Sequence, residues 1–219
     1  SSDNSSDNSS DNSDSQVNKV PDFSLPDVNA TSSTFGQDVS PRDYEGDVTA
    51  FYFGLATCTY CTAQFGYLDS LQEDLDANHA ELGIEIVGVN MAGRESHNDV
   101  ITDGRDLPWL QDVDLNADDS SDAWAAWEAQ LRDVIILDAA NQKVTTYNLT
   151  QNDLGESANY AHLKDLMVGA ATAEGEATVV ALGSALQHGA LTSEASKAAV
   201  GRPRVADATP LSILYFYFY

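Results

Sequence analysis

Val48-Thr49-Ala50-Phe51-Tyr52-Phe53-Gly54-Leu55-Ala56-Thr57-Cys58-Thr59-Tyr60-Cys61 joins an apolar run to the chain's only two cysteines. The run from Val48 to Leu55 is rich in aromatic and β-branched residues and suits a buried strand better than a helix. After it, Phe65, Leu68, Leu71, Leu75 and Ala80 recur near helical spacing, which predicts a helix from residue 61 to about 79. A strand running into a helix places Cys58 at or just before the helix N-terminus, where unpaired backbone N–H groups and the helix dipole favour a thiolate. The pair therefore reads as a redox dithiol in which Cys58 is the more nucleophilic sulfur.

Working outward, Ile84-Glu85-Ile86-Val87-Gly88-Val89-Asn90 is a second run apolar on both faces, as central parallel strands are. Strand, helix and strand make a crossover unit. Residues 95 to 103 read as a short helix and Leu107-Pro108-Trp109-Leu110 as an edge piece that tolerates a proline. Asp118-Asp119-Ser120-Ser121-Asp122 supplies cap and first-turn acids for a helix carrying Trp124, Trp127 and Leu131. Val134-Ile135-Ile136-Leu137-Asp138 is a third strong strand, and a turn at Ala139 to Gln142 leads into Lys143 to Asn148 as an antiparallel hairpin. Tyr160, Leu163, Leu166 and Met167 put an apolar stripe on a helix from about 157 to 171. Before the first strand, Pro21, Pro26 and Pro41 mark a looping stretch in which Phe23, Leu25 and Phe35 are the expected buried points.

This order predicts an α/β domain from residue 17 to 172, with a central mixed sheet and helices on both faces. Residues 1 to 16, in which Ser-Ser-Asp-Asn repeats, read as a disordered tether, and residues 173 to 219 as an extension of uncertain structure ending in an aromatic run. The chain carries 35 acidic and 10 basic residues, a formal charge of −25. Such a charge argues against nucleic acid or an anionic membrane surface as partner. No stretch is long and apolar enough for a transmembrane span.

Pro21-Asp22-Phe23-Ser24-Leu25, the strand into Cys-x-x-Cys, and Asp133 to Val144 with its strand-Asp-turn-strand order resemble the thioredoxin-fold redoxins of the TlpA/ResA superfamily. A closer similarity is to the N-terminal thioredoxin-like domain of selenoprotein P and its cysteine-containing relatives, through the dithiol spacing, Val87-Gly88-Val89-Asn90 and the Trp-containing helix. The resemblance implies a three-layer thioredoxin-like fold and thiol-disulfide exchange, with Cys58 as nucleophile and Cys61 as resolving residue. No organic cofactor or resident metal is implied. The implied partners are protein or small-molecule thiols and disulfides, with no oligomeric state specified. Two departures stand out. Arg132 holds the place where thioredoxins carry a cis-proline facing the dithiol, and Thr57 replaces the usual Trp before the first cysteine. On the implied fold, Arg132 lies across from the sulfurs and further favours the thiolate. The Ser/Asp/Asn tract also looks like the spacer behind the lipidated cysteine of a bacterial surface lipoprotein, which implies an extracytoplasmic location.

Several alternatives remain open. A fixed structural disulfide would suit an oxidising compartment. A thiol peroxidase would take Cys58 to a sulfenic acid that Cys61 condenses with, although the Pro-x-x-x-Thr-x-x-Cys surround of peroxiredoxins is missing. A binding domain could keep the scaffold without catalysis. Zinc lacks ligands in finger spacing, since His79, His97, His162 and His188 are scattered. Copper or heme handling by the soft thiolates would need a wider cysteine spacing and a late His, which His162 matches only by position. Trp109, Trp124 and Trp127 fit core positions better than a groove, and Asp112/Asp114 and Asp118/Asp119 fit capping and solvation better than a metal. The acid-rich, lysine-poor composition suggests the hypothesis of work in high salt. Melting curves from low to molar potassium chloride are expected to show the midpoint rising by several degrees, and a flat or falling midpoint would discard that idea.

Overall fold

A computed structural model describes residues 19–117 and 120–187, with side chains described up to residue 173. The tether at residues 1 to 16 and the aromatic ending at 211 to 219 lie outside the described residues. A five-stranded mixed sheet holds the domain together, with the strands that begin at Trp109, Ile84, Val48, Asp133 and Lys143 lying side by side in that order. Strands β3 (Val48–Gly54), β4 (Ile84–Asn90) and β5 (Trp109–Gln111) run parallel, while β6 (Asp133–Leu137) is antiparallel to β3 and pairs with β7 (Lys143–Asn148) as a hairpin. A separate two-residue pair, β1 (Leu25–Pro26) with β2 (Asp38–Val39), belongs to the leader.

Every residue of β3 is buried, so its alternating side chains feed two cores. Ala50 and Tyr52, with Ile84, Ile86, Val134 and Ile136, face the long helices α1 (Thr59–Asn78) and α4 (Ser157–Gln187). Phe51 and Phe53, with Val87, Val89, Ile135 and Leu137, face the leader and the short helix α3 (Asp122–Ala126). On that second face Trp127 meets Phe51 at 5.1 Å and Trp124 meets Phe53 at 5.4 Å between ring centres, both edge-on. Trp109 is fully buried in the first core, and all three tryptophans are core residues.

The leader covers the β5 edge. Val28 N–H donates to Trp109 O, and buried Asp27 accepts from the N–H groups of Asn29 and Trp109. An edge covered in this way cannot recruit a foreign strand. Phe35, expected to be buried, is instead 55% exposed at the tip of the turn from Asn29 to Gly36. Hydrogen bonds among Asn29, Thr31, Ser32, Thr34 and Asp27 hold that turn without needing an apolar anchor.

Helix boundaries shift for local reasons. The segment expected as one helix at 95 to 103 is a 3-10 turn, Glu95–His97, followed by α2 (Asn98–Thr102). The tryptophan helix, expected to carry Leu131, stops at Ala126 because Glu128 takes a left-handed φ of 52° and turns the chain toward β6. Its cap also differs from expectation: buried Asp112 accepts from the N–H groups of Ala123 and Trp124, while the Ser121 hydroxyl accepts from Ala92 N–H. Helix α4 runs unbroken through residue 172 to Gln187, past the expected end near 171. At the turn of the hairpin, Asp138 Oδ1 accepts from Ala140 N–H and Gln142 N–H, and Asn141 takes the left-handed φ of 60° that asparagine tolerates.

Gly88 lets Trp109 and Phe65 meet over β4: a Cβ there would drive into the Trp109 ring and approach Phe65 at 2.8 Å. Gly88→Ala is expected to cost about 1–3 kcal/mol of stability, read as a lower urea midpoint with unchanged slope.

Candidate active site

Beyond Gly54 the chain makes a turn in which Cys58 N–H donates to Leu55 O at 3.0 Å. Cys58 is then the N-cap of α1, with extended backbone (φ −105°, ψ 110°), and its Sγ accepts Cys61 N–H at 3.2 Å. A sulfur thus takes the place that Ser or Asp usually fills at a helix start, and the unpaired donors of the first turn converge on it. Both cysteines are free thiols; Cys58 is half-buried and Cys61 fully buried behind it.

The position of this turn is set from the neighbouring strand. Asn90, fully buried at the end of β4, accepts Ala56 N–H on its Oδ1 at 2.9 Å, while its Nδ2 donates to Gln111 Oε1 at 2.8 Å and reaches Asn98 Oδ1 and Arg94 O. Tyr52, on the core face of β3, donates its hydroxyl to Cys61 O at 3.2 Å. Gln64 ties α1 to the loop before α4, donating to Asp153 Oδ1 and accepting Leu154 N–H.

Arg132 comes from the other side of the site. Its N–H donates to Phe53 O at 2.8 Å and its carbonyl accepts Leu149 N–H at 2.9 Å, so its backbone is bracketed between β3 and the segment after β7. Its φ is 69°, in the left-handed region, unusual for a residue with a long side chain. The guanidinium Nη1 lies 3.8 Å from Cys58 Sγ and 4.0 Å from Cys61 Sγ, Nε donates to Thr150 Oγ1 at 3.0 Å, and the head sits 4.9 Å over the Tyr60 ring. The structure therefore brings together Cys58, Cys61 and Arg132, the three residues singled out from the sequence. It adds Tyr52, Tyr60 and Thr150, which sequence reading passes over, and Asn90, which the sequence marked only as the end of a family-like Val-x-x-Asn segment. Asn90 carried a faint signal as the one polar residue closing an apolar strand; Tyr52 and Tyr60 carried none.

The two thiols are driven apart electrostatically. Partial burial alone pushes the Cys58 thiol up, but hydrogen bonds from the Cys61 thiol and backbone N–H, the Arg132 charge and Tyr60 N–H outweigh it and hold the thiol below its ordinary range. Burial first, then the hydrogen bond to Cys58, pushes the Cys61 thiol above it. Burial also raises Tyr52 far above the usual phenol range, so its hydroxyl stays protonated and serves as a donor. Tyr60 is raised by residual burial and by its bond to Asp153. Among the described residues His79 caps the far end of α1 and His162 packs against Tyr147, while His188 lies outside them. An open cleft of about 630 Å³ between Met91–Arg94 and Trp124–Ala129 flanks the chain that leads to Arg132, so Trp124 serves both as core and as cleft wall.

A mixed sheet with a dithiol at the start of its main helix defines the thioredoxin-like class. The chain belongs to the AhpC/TSA family, whose pattern matches residues 17–146. No curated protein matches it. Among solved structures it is similar to a Chlorobium tepidum protein assigned as thiol:disulfide interchange protein DsbE (16% identity, TM-score 0.52, covering 70% of this chain and 96% of that one). It is likewise similar to a Bacteroides thetaiotaomicron protein assigned as a protein disulfide isomerase (14%, 0.51, 68% and 87%). A third is BsSco, a Sco-family cytochrome c oxidase assembly protein with a disulfide switch (14%, 0.52, 70% and 94%). At these identities the likeness is one of fold. Among the described residues no helix is long and apolar enough to cross a membrane.

Because the thiolate is the form that alkylates, Cys58 is expected to react with iodoacetamide faster than Cys61 at neutral pH, its rate rising with pH through a midpoint below that of a free thiol. Arg132→Ala is expected to move this midpoint upward. An unchanged midpoint, read by mass spectrometry of the labelled peptide, would remove Arg132 from the account.

Proposed function

We propose that this protein is a thiol-disulfide oxidoreductase working through Cys58 and Cys61. The observation that carries the reading is the asymmetry of the pair: one sulfur accessible, lowered in pKa and held by Cys61 N–H and Arg132, the other buried and protonated directly behind it. In the reducing direction the Cys58 thiolate attacks a substrate disulfide, forming a mixed disulfide and releasing one substrate thiolate, which takes up a proton. Cys61 then gives up its proton and attacks Cys58 Sγ. The intramolecular disulfide forms, the second substrate thiol leaves, and two electrons have passed to the substrate. The oxidised form runs the same steps in reverse.

The Ser/Asp/Asn tract supports an extracytoplasmic, tethered setting for this chemistry, and Arg132 in place of proline, with Val87-x-x-Asn90, supports the selenoprotein P-like branch. A second reading, thiol peroxidase, draws on the AhpC/TSA match and on a cation beside the thiolate. There Cys58 would take one peroxide oxygen to become a sulfenic acid, releasing an alcohol or water, and condensation with Cys61 would release water.

Cys61→Ser is expected to accumulate mixed disulfides with substrate thiols, visible as thiol-reversible bands or mass adducts on Cys58, and Cys58→Ser to accumulate none. Peroxide consumption with no capture by Cys61→Ser would favour the second reading, and an unreactive Cys58 would dismiss both.

A further inference from the structure

Arg132 stands in a conformation that glycine or asparagine adopts more cheaply, at a φ of 69°. Its two backbone hydrogen bonds, to Phe53 O and from Leu149 N–H, do not require a side chain. What the strained position supplies is a guanidinium at the mouth of the dithiol. That guanidinium is only partly used. Nε is taken by Thr150, Nη1 faces the two sulfurs at 3.8 and 4.0 Å, and Nη2 has no hydrogen-bond partner among the described residues.

Among the described residues no carboxylate forms an ion pair with it either; Glu45 pairs with Lys19 and Asp74 with Lys164. Asp153, the acid linked to Tyr60, is engaged by Gln64 Nε2 and Gly155 N–H instead. In a chain of 35 acids against 10 bases, Arg132 thus presents an uncommitted guanidinium edge beside Cys58, and a guanidinium edge pairs readily with a carboxylate. The Tyr60 ring, 4.9 Å from the guanidinium carbon, and the Thr150 hydroxyl, bonded to Nε at 3.0 Å, hold the head group beside the dithiol.

We propose that Arg132 is a specificity-determining residue that selects small disulfides carrying a carboxylate a few bonds from the sulfur attacked by Cys58. The inference rests on the exchange reading above. The open Nη2 edge holds the carboxylate while Cys58 Sγ forms a bond to the near sulfur; the far sulfur leaves as a thiolate and is protonated by water, and Cys61 closes the disulfide with release of the second carboxylate-bearing thiol. One disulfide is reduced to two thiols and the protein dithiol is oxidised. The global charge of −25 works against this preference, because at low salt it draws cationic disulfides and repels anionic ones. The local contact should emerge where that field is screened, with a Debye length of about 3 Å in molar salt.

The test uses the reduced full-length chain and three symmetrical disulfides that share a two-carbon spacer between sulfur and head group: dithiodipropionate, hydroxyethyl disulfide and cystamine. Oxidation of the dithiol is followed by alkylation and intact mass in molar potassium chloride. Each rate is divided by that of the same disulfide with dithiothreitol, which removes differences between the leaving thiols. The expected result is a normalised rate for dithiodipropionate about tenfold above that for cystamine, with hydroxyethyl disulfide between them. Arg132→Met is expected to slow all three through the Cys58 thiol and to bring the ratio to within about twofold of unity. An effect through the thiolate alone scales every substrate alike and leaves the ratio untouched. Equal normalised rates in the native protein, or a ratio that survives Arg132→Met, overturn the assignment while leaving exchange intact. Failure of all three disulfides to oxidise the native dithiol overturns the exchange reading itself.

Discussion

Strand β3 has no solvent on either face and no free edge, and that constraint organises the molecule. A strand in the middle of a sheet must end somewhere, and where it ends its backbone groups still need partners. Asn90 supplies an acceptor to Ala56 N–H, and Arg132 supplies a donor to Phe53 O. Both therefore satisfy the end of β3, and in doing so they place the turn that carries Cys58 and the cation that faces it. Loss of the Asn90 side chain would leave a buried N–H and several amide contacts unmet at once, which is why a polar residue is worth keeping among valines and isoleucines.

The two cores place opposite demands on the same strand. On one side, Tyr52 and the packing of α1 and α4 bury Cys61. On the other, the aromatic cluster of Phe51, Phe53, Trp124 and Trp127 fixes α3, whose left-handed exit at Glu128 lets the chain reach Arg132 in only a few residues. The Cys58 sulfur sits between, half-buried and with the Cys61 N–H and Arg132 guanidinium already in place to stabilise a charge on it.

The fold was legible where physics leaves a periodic trace. β3, β4 and β6 are apolar on both faces, and α1 repeats its apolar residues at helical spacing, so these elements and the dithiol junction could be read from residues alone. Arg132 could not: nothing in its neighbours marks it, and only the resemblance to redoxins pointed to the position. Phe35 misled because an aromatic residue usually anchors a loop, whereas here side-chain hydrogen bonds hold the turn. The tryptophan helix is shorter than its pattern because the connection to β6, which is tertiary, dictates where it stops. Tyr52 looks in sequence like any other core aromatic, and its hydroxyl acquires a role only once α1 brings the Cys61 carbonyl within 3.2 Å.

The contacts that steady the Cys58 thiolate have a further consequence. A disulfide sulfur bears no charge, so on oxidation the Cys61 N–H and the Arg132 guanidinium lose the anion they face, and the helix start loses its charged cap. Whatever these donors contribute, they contribute to the dithiol and withhold from the disulfide. Under the proposed exchange, the geometry that favours attack would also tilt the couple toward its reduced form and make the closed pair the more avid electron acceptor. On that reading Arg132 is a setting on the direction in which electrons run.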